Sequence, residues 1–450
     1  MQNILTIAGF WDIMKQRLCE RRAAMGQKLK IIKEKLGKSA VTAASYIRVT
    51  VKWCVIGVIM GLVCGLIGAL FHHAIDFGTE LRLEHPWLIF LLPVGGLAIY
   101  FVYKWLKLIP DPGTDAIIHA SLTGKHVTPK MALGIFFSTI VTQLVGGSGG
   151  REGAALQLGG GISGLVSKLS PYKFSLNDDR VLTLCGMSAV FSSLFGTPVT
   201  AALFCMEVGR IGSMPYAALA PCIISAYVAK YVALFTGITP TAFTLTAIPK
   251  LTPSLMIKLL ILGVLCAVIA IIFCESQHLS KKLFGKIKIV WLRPLIGSLL
   301  VLGMTLLVGS QRYNGAGMSA VRDAIELGMS TDWSFILKIL FTAVSLGCGF
   351  KGGEIVPAFF TGATFGCLIA PLLGIDPGFA AAVCMVTVFC GVVNCPLASI
   401  ILAVEVFNSS MLVPITLPVV ICYMLSGQSS LYSSQTFVES KLRMPNPNKS

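Results

Sequence analysis

The residues best suited to chemistry are two acids set in glycine inside an apolar chain. Glu152 lies in Gly146-Gly147-Ser148-Gly149-Gly150-Arg151-Glu152-Gly153-Ala154, and Glu354 lies in Gly349-Phe350-Lys351-Gly352-Gly353-Glu354-Ile355-Val356-Pro357. An ionised side chain at membrane depth costs at least about 2.5 kcal/mol, so it persists where it has a partner or a task. Glycines let the backbone turn tightly and leave its amides accessible. Ala154–Leu158 then reads as the start of a helix. A glycine stretch feeding a helix N-terminus aims unpaired N–H groups and a positive dipole end at one point, which is the chemistry of an anion site. The competing reading is a glycine-packed helix crossing in which Glu152 pairs with Arg151 and Glu354 with Lys351.

The surroundings are membrane-like. Of 450 residues, 55% are hydrophobic and 12% charged, and the mean hydropathy is +0.81; soluble domains carry about 25% charged residues. The net charge of +16 sits in the first fifty residues, in Lys281–Arg293 and near the end, as cytoplasmic segments do under the positive-inside rule. A nucleic-acid partner is not expected beside so much membrane sequence. Fourteen scattered cysteines show no metal-ligand spacing and read as small buried hydrophobes. His72, His73 and His119 read as interface histidines, not metal ligands.

Residues 1–50 read as a basic amphipathic helix on the cytoplasmic membrane surface, carrying Lys15, Arg17, Arg21, Arg22, Lys28, Lys30, Lys33, Lys35 and Lys38. Trp53–Ile75 is long enough to span, the link His73–Pro86 is external, and Trp87–Leu106 returns inward. Gly113-Thr114-Asp115-Ala116 begins a helix on the cytoplasmic side. Met131–Val145 is short and runs straight into the first glycine stretch; such broken segments point to discontinuous helices around a substrate site. Val181–Phe195, Val199–Met206, Pro215–Phe235, Leu255–Phe273, Leu292–Val308 and Met411–Leu425 complete the apolar segments.

The chain repeats itself at an offset of roughly 200 residues. Tyr313–Val321 resembles the Gly113–Ala116 helix start, and the Glu354 stretch answers the Glu152 stretch. Gly196-Thr197-Pro198 through Glu207 matches Asn394-Cys395-Pro396 through Glu405 with proline and glutamate at one spacing. The loop charges place the copies in opposite orientations, as an inverted repeat. The expected organisation is a basic region 1–50, a first transmembrane repeat 51–240, a second, inverted one 254–435, and a short cytoplasmic tail 436–450. Glu207 and Glu405, at matched helix ends, read as scaffold.

With these motifs in place, the sequence resembles the CLC family of anion channels and anion/proton antiporters over essentially residues 50–435. The family's G-[KR]-E-G-P stretch is matched by Gly150-Arg151-Glu152-Gly153-Ala154, and its G-x-F-x-P stretch by Gly353–Pro357. Its G-S-G-I-P stretch is met loosely by Gly113–Ile117, and its late tyrosine by Tyr432. The resemblance implies an all-α polytopic membrane protein of the CLC-type inverted repeat, with tilted and discontinuous helices. It implies a gating glutamate at Glu152 that competes with anions and exchanges protons. It implies anion binding by the amides of Ile355 and Val356, by the Gly150-Arg151-Gly153 stretch, near Thr114, and by the Tyr432 hydroxyl. It also implies a homodimer with one pore per subunit in the cell's inner or plasma membrane, both termini cytoplasmic.

Two departures bear on mechanism. Val208 stands where the family's antiporters hold an internal proton-accepting glutamate. Glu354 gives the stretch a Gly-Gly-Glu form similar to the fluoride/proton antiporter branch, where that glutamate takes part in coupling. Thr114 and Val356 stand where that branch carries Met and Thr. The expected function is transport of small inorganic anions (chloride, fluoride among them). Proton-coupled exchange through Glu152 and Glu354 is favoured over a passive, voltage-gated channel. No cofactor beyond a bound halide is expected. A cation symporter would need carbonyl clusters at helix C-termini, and an enzyme would need a nucleophile or metal motif such as H-E-x-x-H; the sequence offers neither.

Overall fold

The computed structural model describes residues 2–111, 113–125, 127–245, 248–438 and 441, without the side chains of most residues before 42. Most of the basic side chains in 1–50, and most of the tail 436–450, lie outside this description. Sixteen α-helices occur among the described residues. In order they are α1 (Gln2–Glu84), α2 (Leu92–Trp105), α3 (Gly113–Thr123), α4 (Lys130–Val145), α5 (Glu152–Leu169), α6 (Leu176–Phe195), α7 (Pro198–Glu207) and α8 (Leu219–Phe235). Then follow α9 (Pro253–Gly285), α10 (Leu292–Val308), α11 (Met318–Glu326), α12 (Ser334–Cys348), α13 (Ile355–Leu373), α14 (Pro377–Val393), α15 (Pro396–Val406) and α16 (Leu412–Leu425). The chain divides into two compact units, Met1–Val55 and Ile56–Ser450. Everything below concerns the second.

Local chemistry sets the helix ends. Ser175 and Asp178 form a reciprocal capping box on α6, and Asp376 accepts the Phe379 N–H on α14 at 2.8 Å. Pro198 and Pro396 occupy the first position of α7 and α15, where a missing N–H costs nothing. The helix α4 stops at Gly146, whose φ of 87° favours glycine.

Two expectations about element ends change. The link after His73 is not a loop: α1 continues to Glu84, because 73–84 contains neither proline nor a glycine-rich break. Likewise α9 runs to Gly285, so Lys281 sits on a helix facing the interior cavity described below. Five stretches are long and apolar enough to cross a membrane: Thr42–Glu84, Pro86–Trp105, Tyr216–Phe235, Pro253–Gly285 and Ile355–Leu373. Most other apolar helices, α4, α7, α12 and α15 among them, have only 10–17 residues.

The core lies in α5, α6, α13 and α14, whose residues are almost all buried. The pairs meet through small residues. Gly159 of α5 lies on the Gly186 backbone of α6, and Gly362 and Gly366 of α13 lie on Cys384 and Ala380 of α14. Close backbone approach is how helices pack where lipid removes the hydrophobic drive. Of the thirteen described cysteines, twelve are buried and all are free.

The two repeats are joined by exchanged acids. Glu207, ending α7, accepts the N–H groups of Leu397 (3.2 Å) and Ala398 (2.9 Å) at the head of α15. Glu405 of α15 accepts those of Val199 (3.0 Å) and Thr200 (2.8 Å) at the head of α7. Each carboxylate caps the other repeat's helix, with dipole and charge aligned. Glu207→Ala and Glu405→Ala should each cost about 1–2 kcal/mol, the range of a lost N-cap. A thermal unfolding midpoint in detergent equal to that of the parent protein would count against this role.

Candidate functional site

The two glycine stretches meet in the middle of the molecule. Gly150 N–H donates to Gly353 O at 2.6 Å, and Gly353 N–H donates to Gly150 O at 2.7 Å, an isolated antiparallel bridge. A Cβ on Gly353 would stand 2.3 Å from the Gly153 nitrogen, so no larger residue fits. The bridge brings the N-termini of α5 and α13 together. It also spends the Gly150 amide, which corrects the expectation that Gly150 donates to an anion. The amides left for one are in the first turns: Gly153 on α5, Ile355 and Val356 on α13.

Buried side chains hold the first stretch in shape. Gln143 Nε2 donates to Gly149 O at 2.6 Å, Asn314 Nδ2 to Gly146 O at 2.8 Å, and Ser345 Oγ accepts the Ser148 N–H at 3.0 Å. Lys338, fully buried on α12, donates to Ser148 Oγ (3.1 Å), Tyr313 O (3.1 Å) and Gly315 O (2.7 Å). All three of its N–H bonds are therefore satisfied, as a buried ammonium requires.

Glu152 is fully buried at the start of α5. Its Oε2 accepts the Arg151 N–H at 2.9 Å, its carboxylate faces the Val356 amide, and its Oε1 has no hydrogen-bond partner. The Arg151 guanidinium does not neutralise it closely: Nε is 3.7 Å from Oε1. Nη1 instead binds His72 Nδ1 at 2.7 Å and Asp76 Oδ1 at 3.1 Å. The Arg151–Glu152 pair is present but long, and the guanidinium is shared with His72 and Asp76. The carboxylate lies between the heads of α5 and α13, with one oxygen unbonded.

Beside the bridge opens a cavity of about 630 Å³ lined by Thr114, Lys281, Lys351, Glu354 and Tyr432. Glu354 caps α13 and is 8% exposed. The competing reading paired it with Lys351, but Lys281 of α9 makes the contact at 3.4 Å, while Lys351 pairs with Asp111. The Lys281 side chain is 45% exposed, and such a solvated pair contributes only about 0–1 kcal/mol. Thr114 Oγ1 accepts from Gln157 Nε2 at 3.0 Å.

Tyr432 is 3% exposed, and its hydroxyl has no partner in the protein. A buried unsatisfied donor costs about 1–3 kcal/mol, so this hydroxyl is free to bond a group other than the protein's own side chains and backbone. The segment carrying it is pinned. Leu431 N–H donates to Val392 O at 3.0 Å, Gln435 Nε2 donates to Val208 O and Val393 O at 2.8 Å each, and Asp115 accepts Ser433 Oγ–H and Ser434 N–H, both at 2.8 Å.

The structure thus gathers Glu152, Arg151, Gly153, Ile355 and Val356 at the bridge, and Thr114, Glu354 and Tyr432 along the adjoining cavity. Sequence reasoning missed His72, Asp76, Lys281 and Gln157. Only the mixed charge after His73 hinted at the first two. Lys281 was read as part of a basic loop, and Gln157 as a generic helix residue.

A helical membrane body with two broken halves meeting at opposed helix heads defines an inverted-repeat membrane transport architecture. The profile described as "Voltage gated chloride channel" matches residues 94–427. The chain is 34% identical over 405 residues to the "Chloride/fluoride channel protein" of Pseudomonas syringae pv. tomato, covering 88% of this chain and 89% of that one. It is 26% identical over 431 residues to the "H(+)/Cl(-) exchange transporter ClcA" of Vibrio campbellii, covering 86% and 90%. Its fold matches the crystal structure of a CLC-type fluoride/proton antiporter with a TM-score of 0.81 at 25% identity, covering 86% of this chain and 98% of that one. The chain belongs to the CLC family, and it is an integral membrane protein.

The bridge makes a direct prediction. Gly353→Ala places a methyl against the Gly153 nitrogen and breaks both bridge hydrogen bonds. The expected loss is about 1–3 kcal/mol, as for other overpacked sites. Gly303→Ala in α10, where nothing lies within 4 Å of a new Cβ, should be neutral or mildly stabilising. Equal unfolding midpoints for the two variants would contradict the packing argument.

Proposed function

We propose that the protein exchanges a small halide, chloride or fluoride, for protons, with Glu152 as the protonatable stopper of the anion path. One observation carries this reading: a fully buried carboxylate sits between two helix N-termini, with one oxygen unbonded and its neighbouring arginine shared with His72 and Asp76. As a carboxylate it competes for the same amides as an anion. Once protonated it loses its charge attraction to them and leaves the position to the halide. The anion then meets the amides of Gly153, Ile355 and Val356 on one side and the Tyr432 hydroxyl on the other. Backbone dipoles can hold a halide without a fixed buried cation beside it.

The second proton carrier in this reading is Glu354. It stands at the cavity, loosely paired with Lys281, and its Oε2 would be 3.4 Å from a Cβ on Gly153. It therefore lies beside the turn that carries Glu152. Passive conduction is the second reading, favoured by Val208, which is buried and apolar at the family's internal glutamate position. Fluoride is included because the Pseudomonas relative is a chloride/fluoride channel protein and the matched structure is a fluoride/proton antiporter. By the family resemblance we further propose a homodimer with one path per subunit and both termini in the cytoplasm.

The test is a reconstitution. In liposomes with a chloride or fluoride gradient, anion and proton fluxes are recorded together. Uphill proton movement driven by the anion is the expected result; anion flux that never drives protons would leave the channel reading. Glu152→Gln should abolish proton movement while leaving anion flux. Unaltered fluxes of both kinds would remove Glu152 from the site.

Tyr432→Phe offers a cleaner probe of the vacant hydroxyl. With no protein partner lost, stability should stay within about 0.5 kcal/mol of the parent. Halide affinity by calorimetry should fall several-fold, since one neutral hydrogen bond is worth about 0.5–1.5 kcal/mol. An unchanged affinity would show that the hydroxyl does not touch the anion.

A further inference from the structure

The cluster that the proposed exchange does not use is the one behind Arg151. His72 and Asp76 stand one turn apart on α1, and their side chains clamp the guanidinium. Arg151 Nη1 lies 2.7 Å from His72 Nδ1, His72 Nε2 lies 3.0 Å from Asp76 Oδ2, and Arg151 Nη1 lies 3.1 Å from Asp76 Oδ1. The His72 and Arg151 side chains are 13% and 17% exposed, whereas that of Asp76 is 46% exposed. The cluster is thus packed yet in reach of water through Asp76.

The hydrogen-bond chemistry is unambiguous. A guanidinium has only donors, so His72 Nδ1 must accept with its lone pair, and the ring proton sits on Nε2 facing Asp76. The clamp therefore requires neutral His72. A second proton on the ring would set an N–H against an N–H at 2.7 Å, between two cations, and would turn Asp76 toward the imidazolium. The charged groups facing His72 among the described residues are Asp76 and the neighbouring His73 on its own helix, and Arg151 from the head of α5. The His72 and His73 ring centroids are 5.8 Å apart. The remaining acceptor near the guanidinium is Glu152 Oε1, 3.7 Å from Nε and otherwise unbonded.

We infer that His72 is a positioning residue for Glu152, acting through Arg151: its neutral ring shares the guanidinium and keeps the ion pair with the carboxylate long, and its protonated ring drives the guanidinium closer to it. The inference rests on the reading of Glu152 as a protonatable stopper. A cation moved toward Glu152 favours the charged, seated carboxylate. Acid on the side that His72 faces therefore has two opposed effects. It protonates Glu152 and frees the path, and it protonates His72 and holds Glu152 in place.

The experiment measures anion flux in liposomes as pH is varied on each side separately. His72→Asn retains an acceptor for Arg151 but cannot become charged, with His72→Gln as a second variant of the same kind. Without the opposing cation, the half-activating pH should rise by roughly half a unit on one side only. In an Arg151→Gln background the His72 substitution should produce no further shift, because the effect passes through the guanidinium. A merely structural His72 would lower protein yield or maximal flux without moving the pH midpoint. An unmoved or lowered midpoint, or a shift that survives Arg151→Gln, overturns the inference. If at the same time Glu152→Gln abolishes the pH dependence, the stopper reading stands and His72 alone is removed from it. If Glu152→Gln leaves the pH dependence intact, both fall together.

Discussion

The structure depends on one pair of backbone hydrogen bonds, those exchanged by Gly150 and Gly353. In a protein whose surroundings offer no water to the backbone, two opposed turns must satisfy each other. That mutual satisfaction sets the remaining geometry. It excludes every side chain from the contact, points the heads of α5 and α13 at a shared space, and places an acid on each side within a few residues. Glycine is needed at the bridge because the Gly153 nitrogen leaves no room for a Cβ on Gly353. The same crowding makes the first-turn amides beyond the bridge the nearest unpaired donors.

The molecule uses a carboxylate at a helix N-terminus four times, in two different ways. Glu207 and Glu405 each accept two amides from the other repeat. With both oxygens bonded, releasing either acid would uncap a helix, so they hold the halves in register. Glu152 has one oxygen on the Arg151 amide and one unbonded. Glu354 caps α13 and holds only a solvated lysine at 3.4 Å. Bond count separates the two fully bonded acids from the two loosely held ones, although all four share one residue type and one kind of location.

Much of this was legible in the sequence, and the boundary of legibility is physical. Repeats, broken segments and the two glycine–acid stretches follow from local composition, and the structure brings them together. The expected ends at Ile75 and Phe273 carry no proline or glycine-rich stop, and α1 and α9 run past them to Glu84, before Pro86, and to Gly285. Partner choice was less legible still. Neighbouring residues suggested Arg151–Glu152 and Lys351–Glu354 pairs; the first is present but long, the second is absent, and side chains at both helix heads reach across to other elements. Arg151 turns to α1, Lys351 to Asp111, and Glu354 to Lys281 on α9. Spacing in sequence identifies which groups are charged and on which turn, not which long side chain from a distant helix arrives beside them. Gly150 failed as a donor for a related reason: its N–H was claimed by a residue some 200 positions away.

The two acids at the bridge differ in what surrounds them, and that difference orders the proposed proton route. Glu152 is sealed from water, so a proton reaches it only when something beside it moves. Glu354 opens on a cavity with Lys281 close by, and its pairing is weak enough to exchange with solvent. A proton carrier of this kind does not require a glutamate at position 208, where the chain instead packs a buried valine whose carbonyl anchors Gln435. Gln435 in turn fixes the segment bearing Tyr432, so that position contributes to holding the unpartnered hydroxyl in place. In the proposed exchange, the residue that replaces the family's inner acid therefore serves the anion side of the cycle, and the proton side passes to the acid at the bridge.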